Sequence, residues 1–462
     1  MKRPLIDLCV LPAIGVAMVM ASPGQTLTTL ATFNGANGAR PYGALVQGLD
    51  GSLYGTTGLG GLHNMGTVFK VTPTGALTTL YNFQGSDGEF PYAGLIMGPS
   101  GEFYGTTELG GAANRGTAFR VTPGGTLTTL YNFCIQPLCA DGGNPYSPVV
   151  RAADGSLYGT ADTGGAYNAG TVFAVNSDGT FTTLTSFTNG AGGAFPLGGL
   201  IPGYGGEYYG TTSGNTIFKI TTGGILTTLA ALGGSTYPDG ADSKAGLVLA
   251  SDGNFYGTTS AGGNVIYCAY GCGTIFKVTP QGALTTLYSF SPSPDGDTPY
   301  APLIQATDGN LYGTAVNGGV SSGGTIFSIS LDGQLTPLYS FALTSNSHPY
   351  GALVQATDGN FYGVTSDYLT RTAGSIFRLS VGLGPFVTTL PAYGKVGATV
   401  KILGTHLTGA TSVAFAGTPA AFTVVSDTLI TTTVPVGAGS GKVHVTTPGG
   451  SLLSNVPFGV TH

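Results

Sequence analysis

Residues 53–80 read LYGTTGLGGLHNMGTVFKVTPTGALTTL, and variants of this stretch recur along most of the chain. Three short apolar runs, at 52–57, 67–71 and 77–83, make up this stretch and its edges, and a fourth run, 44–47, precedes them. Turns such as Asp50-Gly51 separate the runs, and glycine there supplies the positive φ that tight turns require. We name the four predicted strands A (44–47), B (52–57), C (67–71) and D (77–83).

The unit occurs seven times. Its Tyr-Gly-[Thr/Val] motif recurs at intervals of 50, 54, 51, 47, 56 and 50 residues. These motifs begin at Tyr54, Tyr104, Tyr158, Tyr209, Tyr256, Tyr312 and Tyr362. A phenylalanine follows in each strand C, at Phe69, Phe119, Phe173, Phe218, Phe276, Phe327 and Phe377. Seven units of four antiparallel strands predict a seven-bladed β-propeller, with these aromatic side chains packed between the blades.

The order of the motifs distinguishes a closed propeller from an open solenoid. A strand D sequence at 27–33 precedes the first strand A, whereas the last strand C, at 374–379, has no strand D after it in register. Pairing residues 27–33 with the seventh blade would close the ring and remove both open edges. An open stack of repeats gives no reason for this offset, so we predict closure by the N-terminal strand.

The repeat resembles the GloVer tandem repeat of exported bacterial proteins, on residues 53–57, 60–61, 66–69 and 77–80 and their equivalents. The resemblance covers about residues 27 to 380, and the layout is also similar to kelch propellers. It implies export from the cell and brings no molecular activity with it.

The C-terminal segment has a different pattern. Alternating strands, as in 397–404, 410–415 and 441–445, fit a β-sandwich of about 80 residues. This segment resembles an IPT/TIG immunoglobulin-like domain along its whole length. Some such domains bind DNA, but the only lysines or arginines here are Lys395, Lys401 and Lys442, so we predict no nucleic-acid partner. We therefore expect three segments: a signal peptide at 1–21, the propeller at 22–382 and the sandwich at 383–462.

The N-terminus predicts export. Lys2 and Arg3 precede an apolar run at 8–20, and small residues would allow cleavage after Ala21. No later run is apolar for the ~20 residues that a membrane helix requires, so we predict no transmembrane segment in the mature chain. Only 8% of the residues are charged and the net charge is −6, which gives no basic field for nucleic acid or an anionic membrane. We expect a secreted or bacterial cell-surface protein.

Four cysteines follow the predicted signal peptide, in two close pairs. An even number of cysteines in an exported protein favours two local disulfides. A four-cysteine zinc site is the alternative, although the spacings of four and three residues between the paired cysteines differ from the usual two. The pairs are Cys134 and Cys139, and Cys268 and Cys272.

The strand order assigns the loops to two rims. The A–B and C–D turns are short and share the short-turn rim, and the B–C and D–A loops share the opposite, variable rim. Binding residues favour loops on a rigid scaffold, so we expect any ligand at the variable rim. The D–A loops repeat Asp-Gly-x-x-Pro-Tyr, a motif that fits either a ring of ligand-binding side chains or a structural turn. The candidate binding residues are Tyr42, Tyr92, Tyr146, Tyr300, Tyr350, Asp87, Asp295 and Asp297.

No motif for catalysis is present. The histidines stand in no serine or cysteine nucleophile motif, and we predict neither a metal nor another cofactor, with calcium at Asp295 and Asp297, or Asp239 and Asp242, as an alternative. We predict a non-enzymatic binding or adhesion protein for an extracellular glycan or protein ligand. The alternatives are an exported carbohydrate-active enzyme, a hydrolase or lyase with carboxylates at the channel, and a structural surface component.

Overall fold

A computed structural model describes residues 25–152, 154–190, 192–233, 239–344, 346–366 and 374–461. The predicted signal peptide, residues 1–21, lies outside the described residues. Seven four-stranded antiparallel sheets follow one another along the chain, and a sandwich of two further sheets comes after them. Within the described ranges, the helices are two 3-10 turns, Pro137–Cys139 and Tyr204–Gly206, and no helix has the length and hydropathy needed to cross a membrane.

Each blade contains strands A to D in chain order, and strand A is the shortest. The A strands are Val46–Gln47, Ile96–Met97, Val150–Arg151, Ile201–Pro202, Val248–Leu249, Ile304–Gln305 and Val354–Gln355. The B strands are Leu53–Thr57, Phe103–Thr107, Leu157–Ala161, Tyr208–Thr212, Phe255–Thr259, Leu311–Ala315 and Phe361–Ser366. The C strands are Thr67–Val71, Thr117–Val121, Thr171–Val175, Thr216–Ile220, Thr274–Val278, Ser322–Ile329 and Gly374–Ser380. The D strands of the first six blades are Leu77–Asn82, Leu127–Asn132, Phe181–Ser186, Leu226–Ala231, Leu284–Ser289 and Leu335–Ala342.

The N-terminal strand completes the seventh blade. Thr26–Phe33 pairs antiparallel with Gly374–Ser380, with Leu27 opposite Leu379 and Phe33 opposite Gly374. This pairing gives the seventh blade its fourth strand and joins the two ends of the repeat. The prediction of a seven-bladed β-propeller closed by an N-terminal strand and followed by an immunoglobulin-like β-sandwich is confirmed.

The repeated aromatic residues form the cores between blades. Tyr54 and Phe69 are buried, and the Tyr54 ring stacks on Phe103 of the next blade with centroids 4.2 Å apart. Gly55 makes this packing possible, because a Cβ atom there would lie 2.7 Å from Cζ of Phe69. Each buried aromatic side chain of this kind contributes about 1.5–3 kcal/mol.

The Tyr-Gly tyrosines also hold the short-turn rim together. The Asp50 carboxylate accepts hydrogen bonds from the Tyr54 hydroxyl and the Ser52 N–H, both at 3.1 Å. The same bond recurs from Tyr256 to Asp252 at 2.7 Å. In blades two and four the tyrosine instead donates to a glutamate two residues before it. These carboxylates therefore stabilise the A–B turns, which explains why the motif requires tyrosine rather than phenylalanine.

The C-terminal sandwich encloses a core of its own, which includes Val400, Phe415, Ile430 and Phe458. One sheet contains Thr388–Leu390, Thr399–Leu403, Phe422–Ser426 and Leu429–Thr433, and the other contains Ser412–Phe415, Thr418–Pro419, Val443–Thr447 and Gly450–Leu453. A parallel pair joins Tyr393–Lys395 to Gly459–Thr461.

The sandwich docks on the short-turn rim. The Thr428 hydroxyl donates to the Leu49 carbonyl at 2.9 Å, and the Lys401 ammonium donates to the Pro99 carbonyl at 2.5 Å. The Phe386 N–H donates to the carbonyl of Thr357 at 3.0 Å. These contacts reach blades one, two and seven, and the variable rim lies on the opposite side of the propeller.

Candidate functional site

A cavity of about 170 Å³ lies on the propeller axis at the variable rim, and its lining is mostly apolar. One residue from each of the seven blades surrounds it. Each of these residues lies three positions before a buried leucine or valine. These seven residues, which we call the axial ring, are Tyr42, Tyr92, Tyr146, Leu197, Lys244, Tyr300 and Tyr350. Each is only half-buried, so the ring faces the cavity rather than the core.

Small residues behind the axial ring allow the blades to meet closely at the axis. Gly43 follows Tyr42, and a Cβ atom at Gly43 would lie 2.7 Å from the Ala93 carbonyl of the next blade. Gly94 is in a similar position, with the Ala44 carbonyl 3.0 Å from its ideal Cβ. The larger ring residues are therefore held at the cavity while the backbone beneath them is tightly packed.

The five axial tyrosines pack against one another as a continuous arc. The ring centroids are 5.7 Å apart for Tyr300 and Tyr350, 4.9 Å for Tyr350 and Tyr42, 5.2 Å for Tyr42 and Tyr92, and 5.6 Å for Tyr92 and Tyr146. The first three pairs are edge-to-face, the arrangement that the aromatic quadrupole favours. The arc gives the cavity a rigid aromatic wall.

Lys244 is the one cation in the axial ring. Its ammonium lies 4.5 Å from the centroid of the Tyr300 ring and donates to the Tyr300 hydroxyl at 2.6 Å. It also forms an ion pair with Asp242 at 3.0 Å. Burial lowers the pKa of Lys244, but the bonds to Tyr300 and Asp242 outweigh this and raise it overall, so the side chain is charged at neutral pH.

The residue two positions before each axial-ring residue has a left-handed backbone, with φ between 54° and 63°. None of the seven is glycine, and for residues without a short polar side chain this conformation costs roughly 1–2 kcal/mol. The carbonyl of each of these residues accepts a hydrogen bond from the N–H of the residue that ends or follows a B strand. For example, the Glu108 N–H donates to the Phe90 carbonyl at 3.1 Å. The seven residues are Arg40, Phe90, Asn144, Phe195, Asp242, Thr298 and His348.

Two carboxyl groups stand beside the aromatic arc. Burial, followed by the charges of Asp162 and Glu89, raises the pKa of Glu108, and burial raises the pKa of Asp162. Glu108 also acts on the axial tyrosines: burial and then the Glu108 charge raise the pKa of Tyr92 to about 12, and the same two causes raise that of Tyr146 further. These tyrosine hydroxyls are therefore protonated donors at neutral pH.

Unpaired polar atoms are concentrated at this mouth. Among the described residues, five buried side-chain polar atoms have no hydrogen-bond partner. Three of them are Nε of Arg40 and Oδ1 of Asp162, both in loops of the variable rim, and Oγ of Ser366, at the end of a B strand on the same rim. Buried polar groups are nearly always paired, so these atoms need ordered water or a bound ligand as a partner.

The predicted binding residues divide into two groups. All five tyrosines line the cavity, whereas Asp87, Asp295 and Asp297 do not. Asp295 accepts from the hydroxyls of Tyr288 and Ser291, both at 2.7 Å, and Asp87 accepts from the Tyr81 hydroxyl and the Gln84 N–H. Asp297 accepts from the Thr298 hydroxyl at 2.7 Å. The aspartates thus hold the D–A loops that position the tyrosines.

Leu197 and Lys244 complete the ring, and neither was predicted from the sequence. Their blades replace the Pro-Tyr pair with Pro196-Leu197 and Ser243-Lys244. The spacing of three residues to Leu200 and to Leu247 is retained, and counting back from these leucines would have found both positions.

The cysteines form disulfides between Cys134 and Cys139 and between Cys268 and Cys272. This confirms the two local disulfides predicted from the sequence, for which a zinc site was the alternative. In the described part of the chain, no group of three histidine, cysteine, aspartate or glutamate side chains is placed to hold a metal. His63 is exposed, and His348 is buried with its Nδ1 atom 2.8 Å from the Ser347 hydroxyl. Calcium binding stays a prediction.

Two family models match the chain. The Gloeobacter/Verrucomicrobia repeat matches residues 13–216 and again 213–421, and the IPT/TIG domain matches residues 385–459. Both resemblances stated from the sequence are thereby confirmed. No curated protein is similar enough to count as a relative.

Many solved structures resemble the chain at low identity. One is a fungal alcohol oxidase of the AA5 family in complex with copper, at 14% identity and a TM-score of 0.54, covering 96% of this chain and 100% of that one. Another is the PQQ-bound aldose sugar dehydrogenase of Streptomyces coelicolor, at 13% identity and a TM-score of 0.42, covering 77% and 98%. A putative 6-phosphogluconolactonase of Bacteroides uniformis has 17% identity and a TM-score of 0.44, covering 67% and 90%. At these identities, the likeness to the alcohol oxidase concerns the fold alone.

Proposed function

The chain belongs to the Gloeobacter/Verrucomicrobia repeat family, and we propose that it is an exported, non-enzymatic binding protein that holds an extracellular glycan in its axial cavity. The repeat and the IPT/TIG domain suggest a surface or binding role. The observation that carries the proposal is the convergence of five tyrosines, one leucine and one lysine from seven blades on a single cavity.

The chemistry of the cavity favours a sugar. Aromatic faces offer flat apolar area to the C–H faces of a sugar ring, and protonated tyrosine hydroxyls offer hydrogen bonds. The cavity, about 170 Å³, is smaller than the ~300–1,000 Å³ of pockets for drug-sized ligands. It therefore suits one sugar residue, such as the end of a chain, better than an extended segment.

The remaining parts of the molecule support a role outside the cell. Two disulfides brace loops of the variable rim, and such bonds persist in oxidising compartments. The sandwich docks on part of the short-turn rim, and the axial cavity lies at the opposite rim. On this proposal the protein is secreted or held at the bacterial surface, and the sandwich acts as a spacer.

The test is a glycan and polysaccharide array with the mature protein, residues 22–462. We expect specific binding that falls roughly 5- to 30-fold in the Tyr92→Ala and Tyr300→Ala variants, because each removes part of the aromatic wall, and an aromatic contact of this kind is worth about 1–2 kcal/mol. Tyr167→Ala is the matched control, since Tyr167 is an exposed tyrosine of the variable rim that does not line the cavity. Binding that survives both cavity substitutions, or no binding to any glycan, would contradict the proposal.

One observation favours a second candidate, an exported carbohydrate-active enzyme. Glu108 and Asp162 interact electrostatically and both have raised pKa values, as general acids of glycosidases do. Product release from an array ligand, abolished by Glu108→Gln, would support the enzyme. Binding without turnover supports the binding protein.

A further inference from the structure

We propose that the axial cavity selects a sugar residue that carries a carboxylate, with Lys244 as the residue that recognises the acid. This inference rests on the proposed glycan-binding function and gives it a substrate class. Its basis is the departure of one blade from the others. Five blades place a tyrosine in the cavity wall and blade four places a leucine, whereas blade five places the ammonium group of Lys244 there.

The ammonium is positioned to take an additional acceptor. An ammonium group has three N–H donors, and within the described residues the bonds to the Tyr300 hydroxyl at 2.6 Å and to Asp242 at 3.0 Å account for two. The side chain retains about a quarter of its exposure while lining the cavity. A ligand carboxylate can therefore accept the third bond without breaking the other two.

Lys244 and Glu108 are charged groups in well-separated blades around the cavity. Lys244 belongs to blade five, and Glu108 follows strand B of blade two, three blades away, which is the largest separation that a ring of seven allows. Glu108 lies close enough to Tyr92 and Tyr146 to raise their pKa values. A ligand that is anionic at one end and rich in hydroxyl groups at the other suits this pair of groups, because an ammonium donates to anions and carboxylates such as Glu108 accept hydrogen bonds from hydroxyls.

A uronate combines these features in one residue. Its ring faces can stack on the tyrosine arc, its carboxylate can accept from Lys244 in a charge-assisted bond, and its hydroxyls can donate toward Glu108. A neutral sugar would offer the third N–H of the ammonium only an uncharged acceptor, and Asp242 would stay its one anionic partner among the described residues. A sulfated sugar supplies an anion of different shape, and the experiment includes it for comparison.

The experiment measures the affinity of the mature protein, residues 22–462, for trigalacturonate, for its methyl ester and for a sulfated galactose trisaccharide. We expect trigalacturonate to bind at least tenfold more tightly than the ester, because esterification removes the charge and leaves the ring unchanged. Lys244→Met should remove this preference. Lys219→Met is the matched control, because Lys219 also forms an ion pair with a carboxylate, Glu207, at 2.9 Å, but on the short-turn rim.

A second variant tests the role of Lys244 in the opposite direction. Asp242→Asn removes the competing carboxylate from the ammonium and should strengthen trigalacturonate binding several-fold. Asparagine tolerates the left-handed backbone of Asp242, where φ is 57°, so the variant should fold normally. Unfolding temperatures near that of the wild type would establish this for each variant.

The outcomes separate the two proposals. Equal affinity for the acid and its ester, lost in Tyr92→Ala but retained in Lys244→Met, would overturn the carboxylate assignment and leave glycan binding in place. A preference for the sulfated trisaccharide over trigalacturonate would also overturn it. Glycan binding that is unaffected by Tyr92→Ala would contradict the proposed function itself.

Discussion

The two rims of the propeller share one repeat but use it differently. On the short-turn rim, carboxylates accept hydrogen bonds from the Tyr-Gly tyrosines, as Asp252 does from Tyr256, and the C-terminal sandwich covers part of the surface. At the mouth of the variable rim, the backbone repeats but the side chains change, from Tyr42 to Leu197 to Lys244. Three buried polar atoms there have no partner in the described part of the chain.

This difference separates residues that build the fold from residues that are free to bind. Where the same contact recurs in blade after blade, its residues are satisfied within the chain and the substitution of one should cost stability. Where a fixed backbone carries changing side chains, substitution should change ligand binding and cost less stability. The predictions below test this division.

The largest expected effect is on the framework between blades. Phe119 is fully buried and its ring packs edge-to-face against Phe83 at 5.3 Å. Phe119→Ala leaves a cavity in this core and should lower the free energy of unfolding by about 3–5 kcal/mol, measured by chemical denaturation. A loss as small as that of Tyr167→Ala, at an exposed position, would contradict the assignment of the phenylalanines to the core.

A smaller effect is expected from the hydroxyl groups of the short-turn rim. Tyr256→Phe removes the bond to Asp252 at 2.7 Å and keeps the ring, so it should cost about 0.5–1.5 kcal/mol of stability. The same denaturation experiment measures it, and glycan affinity should be unchanged. Reduced glycan affinity in a stably folded Tyr256→Phe protein would show that the two rims are not independent.

The smallest effect is a difference in the pH dependence of stability. The folded state raises the pKa of Glu108 and of Asp162 above their ordinary values of 4.5 and 3.8. Their contribution to stability is fully present below those values and is lost as the pH rises through the folded-state values. Between pH 4 and pH 8, the unfolding temperature of the Glu108→Gln/Asp162→Asn double variant should therefore fall less than that of the wild type.

An exposed carboxylate of the short-turn rim should behave in the opposite way. Hydrogen bonds from Thr180 lower the pKa of Asp178, so its contribution is present above the ordinary value and is lost as the pH falls. The Asp178→Asn substitution should therefore destabilise the protein more at neutral pH than at pH 3. Thermal melts at several pH values compare the two variants. If both substitutions changed the pH dependence of the unfolding temperature in the same direction, the electrostatic difference between the rims would be contradicted.

The sequence predicted closure of the ring, because the order of the motifs left residues 27–33 to complete the seventh blade. The Pro-Tyr repeat identified Tyr42, Tyr92, Tyr146, Tyr300 and Tyr350 as a set, but it fitted a structural turn as well as a ring at the channel mouth. Strand A is shorter than predicted, Val46–Gln47 in place of 44–47, because the residues before it converge on the axis, where Gly43 lies against Ala93.

The features that the sequence did not predict depend on three-dimensional position rather than on residue type. Lys244 does not match the Pro-Tyr motif, so only its spacing to Leu247 marks it as part of the ring. The left-handed φ angles of Arg40, Phe90 and Thr298 are not preferred by those residue types. Asp87 and Tyr92 belong to one motif, yet the aspartate bonds its own loop and the tyrosine reaches the axis.

The most direct test of the central claim, that the axial cavity is the binding site, is hydrogen–deuterium exchange of the mature protein with and without the strongest array ligand. The account predicts protection in peptides that cover residues 40–46, 90–96 and 298–304, which carry the ring and the start of the A strands. Protection confined to the C-terminal sandwich or to the short-turn rim would contradict it.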